Sequence, residues 1–66
     1  MDMNKLNVKI LESGMTIDEV ATQIGMNGLS LYFKMKCPMT MTVGDAIKLK
    51  QTLNMTNAEA MDIFLY

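Results

Sequence analysis

Three times along this chain a Thr is followed three residues later by an acid, and apolar residues at helical spacing come next: Thr16 with Glu19, Thr42 with Asp45 and Thr56 with Glu59. In this pattern the hydroxyl accepts from a backbone amide of the first turn, and the acid reaches back to the amide of the Thr itself. Two amides that a helix start would leave orphaned are thereby satisfied together. Asn27 is a fourth residue of capping type. The stops answer the starts. Gly14 and Gly25 stand where a left-handed residue ends a helix, and Asn54 can do the same after Leu53. Pro38 cannot lie inside a helix and biases its predecessor away from helical geometry, so a third helix must end near Lys36 or Cys37.

This punctuation predicts helices over 3–13, 17–24, 28–36, 43–53 and 57–65. Apolar spacing supports each. Met3, Leu6 and Ile10 form one stripe, with Leu11 beside it. Ile17, Val20, Ala21 and Ile24 follow the i, i+3, i+4, i+7 pattern of a core-facing surface. Leu31 and Met35 lie one turn apart. Val43, Ala46, Ile47, Leu49 and Leu53 mark the fourth helix, and Ala60, Met61, Phe64 and Leu65 the fifth. No stretch alternates as a half-buried strand would. The expected fold is all-α, a compact five-helix bundle forming one domain over 1–66.

At 66 residues, half of them apolar and nine of them Met, the chain can bury only about 60 % of its unfolded surface. Cys37 is the sole cysteine, so no disulfide framework adds to that, and dimerisation is a natural further source of stability. The formal charge is −1 and every cation is Lys, which does not fit a generic nucleic-acid binder. Between Val20 and Gly44, however, the only charged residues are Lys34 and Lys36, so the middle of the chain is locally positive. No apolar run is long enough to span a membrane, and residues 1–9 do not read as a secretory signal. A free cysteine without an export signal points to the cytoplasm. The chain holds no His, so it lacks the usual group for proton transfer, and one Cys is too few for zinc. Neither catalysis, nor a metal, nor a cofactor is expected. Cys37 reads as a buried or half-buried small apolar residue.

The segment 16–36 is the informative one. Two short helices are joined by Gly25-Met26-Asn27, in which Gly permits a sharp turn, Met pins it to the core and Asn caps the second helix. So short a turn makes the helices cross steeply, as in a helix-turn-helix, whose second helix can enter a DNA major groove.

The strings LESGMTIDEVATQIGMN and MTVGDAIKLKQTLNMTNAEAMDIF resemble small phage repressor and Cro-type helix-turn-helix regulators, the lambda-repressor-like proteins of Gram-positive phages and mobile elements. The resemblance runs from about Leu6 to Phe64. It rests on Gly14-Met15-Thr16, Val20-Ala21, Gly25-Met26 and Leu53-Asn54-Met55-Thr56. It implies a five-helix fold, binding of a double-stranded DNA operator as a homodimer, and transcriptional control. In such proteins the start of the third helix usually carries polar residues for bases and phosphates, where this chain has Gly28, Leu29, Ser30, Tyr32 and Phe33. The second helix often opens with a phosphate-holding Gln, where this chain has Ile17.

The residues assigned to DNA are therefore Asn27, Lys34 and Lys36 on the backbone and Gly28, Leu29, Ser30 and Phe33 toward base edges, with Tyr32 beside them in the same DNA-binding set. Each has a plainer reading. Lys34 and Lys36 also suit a solvated helix end, where cations favour the C-terminus. Ser30 also suits a first helical turn. Leu29 and Phe33 form a second stripe that cannot share the core with Leu31 and Met35, since about 100° separates successive residues. That stripe has three destinations: packing on the fifth helix or on residues 37–41, a partner protein or second copy, or apolar contact with bases. If a partner protein covers Leu29, Tyr32 and Phe33, the chain is an antirepressor or inhibitor module.

Overall fold

The computed structural model describes residues 1–65; Tyr66 lies outside them. The described residues form five α-helices and one 3₁₀ turn: α1 Met3–Glu12, α2 Ile17–Gln23, α3 Gly28–Lys36, the turn Pro38–Thr40, α4 Val43–Thr52 and α5 Asn57–Phe64. Helices α2 to α5 begin where the capping residues place them. Thr16, Thr42 and Thr56 donate their amides to Glu19, Asp45 and Glu59, at 2.9, 3.1 and 2.9 Å. The acids' amides donate back to the Thr hydroxyls at 3.0–3.1 Å. Asn27 Oδ1 accepts from Ser30 N–H at 2.8 Å. The first helix has a cap that the Thr-x-x-acid pattern does not reveal: Asp2 Oδ1 accepts from Lys5 N–H at 3.2 Å.

The helix ends are as regular. Gly14, Gly25 and Asn54 have φ of +77°, +84° and +54°, the left-handed region that closes a helix. A Met comes after each. Met26 N–H donates to Ala21 O and Met55 N–H to Lys50 O, both at 2.9 Å, bonds that reach back over five residues and turn the chain into the next cap. Met15 and Met26 pack against the core and Met55 belongs to it. One device therefore serves three times: a left-handed stop, a Met plug and a capping residue.

The core comprises Leu6, Ile10, Val20, Ala21, Ile24, Leu31, Met41, Leu49, Leu53, Met55 and Ile63. The stripes on α1, α2 and α3 face the core as their spacing predicts, with Leu6, Ile10, Val20, Ala21, Ile24 and Leu31 buried and Met3, Ile17 and Met35 half-buried against them, while Leu11 beside the first stripe is exposed. Three expectations need correction. On α4 the inward line is Asp45, Leu49 and Leu53, while Val43 and Ile47 are exposed. On α5 Ile63 is buried and Met61 and Leu65 are exposed. The apolar residues of both helices lie on two faces, and so small a bundle covers only one. The face of α5 that is covered is set by α1: Asp2 N–H donates to Ile63 O at 2.7 Å, Lys5 pairs with Asp62 at 2.6 Å, and Lys9 pairs with Glu59. Cys37 is exposed. It bridges α3 and the 3₁₀ turn in non-helical geometry, and Met41 supplies the buried anchor of this segment.

Glu59 serves α5 and α1 together. The Lys9 ammonium, and after it the Thr56 amide, hold its carboxyl at about 2 against an ordinary 4.5. Because the folded-state value is the lower one, folding favours the ionised form. That contribution is complete above about pH 4.5 and is lost as pH falls toward about 2. We expect the urea midpoint of unfolding to fall across this window and Glu59→Gln to flatten part of the slope. An unchanged slope in the variant would remove Glu59 as its source.

Candidate nucleic-acid interface

Helix α3 is held on three sides. Inward, Leu31 is fully buried and Met35 packs on the core. At its start, Gly28 is buried against α2, and a Cβ there would overlap the Asp18 carboxylate. The overlapping atoms end an exposed side chain that can turn away, and behind them the Asp18 Cα would stand 3.3 Å from the added carbon, so a larger residue must displace Asp18 and push slightly on α2. At its end, Lys34 donates to Asp45 Oδ2 at 2.7 Å and to Thr40 O at 3.3 Å, tying α3 to α4 and to the 3₁₀ turn. Burial pushes the Asp45 carboxyl up, but the hydrogen bonds from Lys34 and from Thr42 outweigh it and hold the group below its ordinary value.

The close approach at Gly28 has a measurable consequence. Gly28→Val should cost about 1–3 kcal/mol, as overpacking does. Asp18→Ala in the same chain should return part of that loss, because the overlapping oxygen is gone. A Gly28→Val chain with the wild-type urea midpoint would show that the helices separate at no cost.

The outward face of α3 carries Leu29, Tyr32 and Phe33, exposed at 64 %, 45 % and 57 %. The stripe therefore does not pack on α5 or on residues 37–41. The Tyr32 and Phe33 rings meet edge to face at 6.0 Å, and Lys36 Nζ lies 5.3 Å from the Tyr32 ring centre, within cation–π range. Asn27 is exposed at the start of this face, and Ser30 is half-buried beside it.

The eight residues assigned from sequence thus divide. Asn27, Leu29, Tyr32, Phe33 and Lys36 share one exposed surface. Gly28 is buried, Lys34 is turned toward Asp45, and the Ser30 side chain is only partly open. Next to Lys36 lies a cleft of about 260 Å³ between α1, the first turn of α2 and α3, lined among others by Asn4, Asn7, Tyr32 and Met35. Asn4 and Asn7 are absent from the sequence assignment. Their signal is positional: two amides at i, i+3 on the polar face of α1.

Charge around the face is sparse. Lys5, Lys9 and Lys34 are neutralised by Asp62, Glu59 and Asp45. Among the described residues Lys36 has no ion pair, while Asp18 and Glu19 stand in the first turn of α2. Among the described residues no group of His, Cys, Asp and Glu is arranged to hold a metal, and no helix is long and apolar enough to cross a membrane. The chain matches no protein-family model, no curated protein and no solved structure.

Proposed function

We propose that the chain is a cytoplasmic DNA-binding transcriptional regulator whose α2–turn–α3 segment works as a helix-turn-helix, with α3 in the major groove of an operator bound by a homodimer. The observation that supports this best is the outward face of α3. A helix fixed at its start, at its end and along its inner side presents Leu29, Tyr32, Phe33 and Lys36 to solvent on one surface. Leu29 and Phe33 would meet thymine methyls. Lys36, with Asn4 and Asn7 across the cleft, would meet the phosphate backbone, which needs only a cation or an amide donor in place. The protein acts by binding, with no cofactor.

With Lys34 neutralised, few phosphates are engaged. Binding to the DNA upstream of its own gene should weaken with salt at a slope of about −2 for the two Lys36 of a dimer. Phe33→Ala should weaken binding to the matching sequence more than to unrelated sequences, and Lys36→Ala should weaken binding to all sequences alike. Absence of any mobility shift at low salt would defeat this reading.

A second reading is favoured by the pairing of Lys34 with Asp45 and by the acids at the start of α2. Both lower the positive potential that DNA needs. On this reading the aromatic face docks a partner regulatory protein, and the chain is an antirepressor or inhibitor. Tyr32→Ala with Phe33→Ala should then abolish capture of that protein. If the double variant still captures it and loses only DNA, this second reading fails.

A further inference from the structure

We infer that the outward face of α3 reads the C5-methyl group of pyrimidines and not their hydrogen-bonding edges, so that 5-methylcytosine serves it as well as thymine, and cytosine methylation creates binding sites for this chain. This inference rests on α3 entering the major groove, as proposed above, and adds what the helix distinguishes there.

Leu29 and Phe33 stand outward on this face, and both are hydrocarbon to the tip. The polar groups around them are engaged or set aside. Asn27 Oδ1 accepts from the Ser30 amide in the helix cap, the Ser30 side chain is half-buried, and Lys34 is paired with Asp45. Tyr32 and Lys36 meet at the rim of the cleft toward α1, where Lys36 suits a phosphate. Base pairs present donors and acceptors in the major groove, and thymine adds a methyl; of these a hydrocarbon side chain gains only from the methyl. Cytosine lacks that group, and 5-methylcytosine carries it on the same ring carbon as thymine.

The face is also fixed before contact. The Phe33 ring is braced edge to face by Tyr32 at 6.0 Å, Tyr32 has Lys36 Nζ 5.3 Å from its ring centre, and Leu31 anchors the helix beneath them. Little freedom is left to lose on binding. Leu29 and Phe33 are four residues apart, a rise of about 6 Å along the helix. Bases two steps apart on one strand are separated by about 6.8 Å, so the pair of side chains spans two methyls.

A duplex selected by the purified chain from randomised DNA, remade with single-group changes and titrated by fluorescence anisotropy, tests this. Uracil in place of thymine removes the methyl and leaves every donor and acceptor of the pair. Each contacted methyl lost should weaken binding about 4-fold, the worth of one buried group of that size. Cytosine at the same positions should bind no better than uracil, and 5-methylcytosine there should recover most of the loss. The chain carrying Leu29→Ala and Phe33→Ala should bind thymine and uracil duplexes alike. Both residues are exposed, so its far-UV circular dichroism should stay that of the parent. Equal affinity of the parent chain for thymine and uracil duplexes would overturn the inference. So would a 5-methylcytosine duplex as weak as its cytosine form, or a uracil penalty undiminished in the double variant, which would trace the effect to DNA shape. If selection enriches no DNA, α3 enters no groove and the proposed function falls together with this inference. If the chain binds DNA without regard to the methyl, this inference alone falls.

Discussion

Leu31→Ala is expected to remove between a third and all of the chain's stability. Leu31 is fully buried at the centre of α3, and truncating such a Leu costs about 3–4 kcal/mol in lost transfer energy and residual cavity. A chain of this length has a total stability of about 3–10 kcal/mol. The loss therefore removes a third of the stability or all of it. Thermal unfolding followed by circular dichroism should show the midpoint fall by roughly 15–25 °C, or no cooperative transition. Leu29→Ala, two residues away on the exposed face, should stay within about 0.5 kcal/mol of the parent. Equal effects at 29 and 31 would mean that α3 is rotated about its axis, with Leu29 sharing the core.

Asp45→Ala is expected to be the most damaging polar substitution. This one carboxylate closes the capping box of α4 through Thr42 N–H and accepts from Lys34 at 2.7 Å. The N-cap itself survives, because the backbone amide of residue 45 still donates to the Thr42 hydroxyl. Leaving the Lys34 ammonium and the Thr42 amide without their acceptor costs about 1–2 kcal/mol by urea denaturation, tempered because Lys34 is a quarter exposed and can turn to water. Asp45→Asn should keep part of the cap and lose the ion pair, falling between Asp45→Ala and the parent. Lys34→Met removes only the pair and should be milder than Asp45→Ala; the reverse order would place the energy in the pair instead of the cap. Asp45→Ala also frees Lys34, so any DNA binding by the folded fraction should gain salt dependence relative to the parent.

The double role of Asp45 marks the boundary of what spacing can reveal. Its cap is local: Thr42 and Asp45 are three residues apart, and any Thr-x-x-acid before an apolar run invites the same two hydrogen bonds. Its partner Lys34 is eleven residues away, across a proline and a 3₁₀ turn, and no spacing rule reaches that far. Residue type and place in the chain assign Lys34 to phosphate. Where α4 comes to rest neutralises it. Gly28 is similar. Its position at the start of α3 is legible, but the carboxylate it must clear comes from α2. Residue type alone makes Cys37 a buried side chain, and the exposed bridge before Pro38 places it outside.

Helices α4 and α5 separate the two kinds of information most clearly. Their first and last turns come from Thr42, Thr56, Asn54 and the residues around them, because a cap is satisfied by backbone groups within three or four positions. Each also carries apolar residues on two faces, so the pattern permits two burials. Contact with α1, reinforced by the Lys5–Asp62 and Lys9–Glu59 pairs, chose Ile63 over Met61 and Leu65. The path of the chain through Met41 set Leu49 inward and Val43 outward. The sequence by itself determined where helices start, stop and turn, since those hydrogen bonds close locally. Only the tertiary structure decided which faces sank and which lysines kept their charge free, because a core this small cannot cover every apolar face and the faces compete for it.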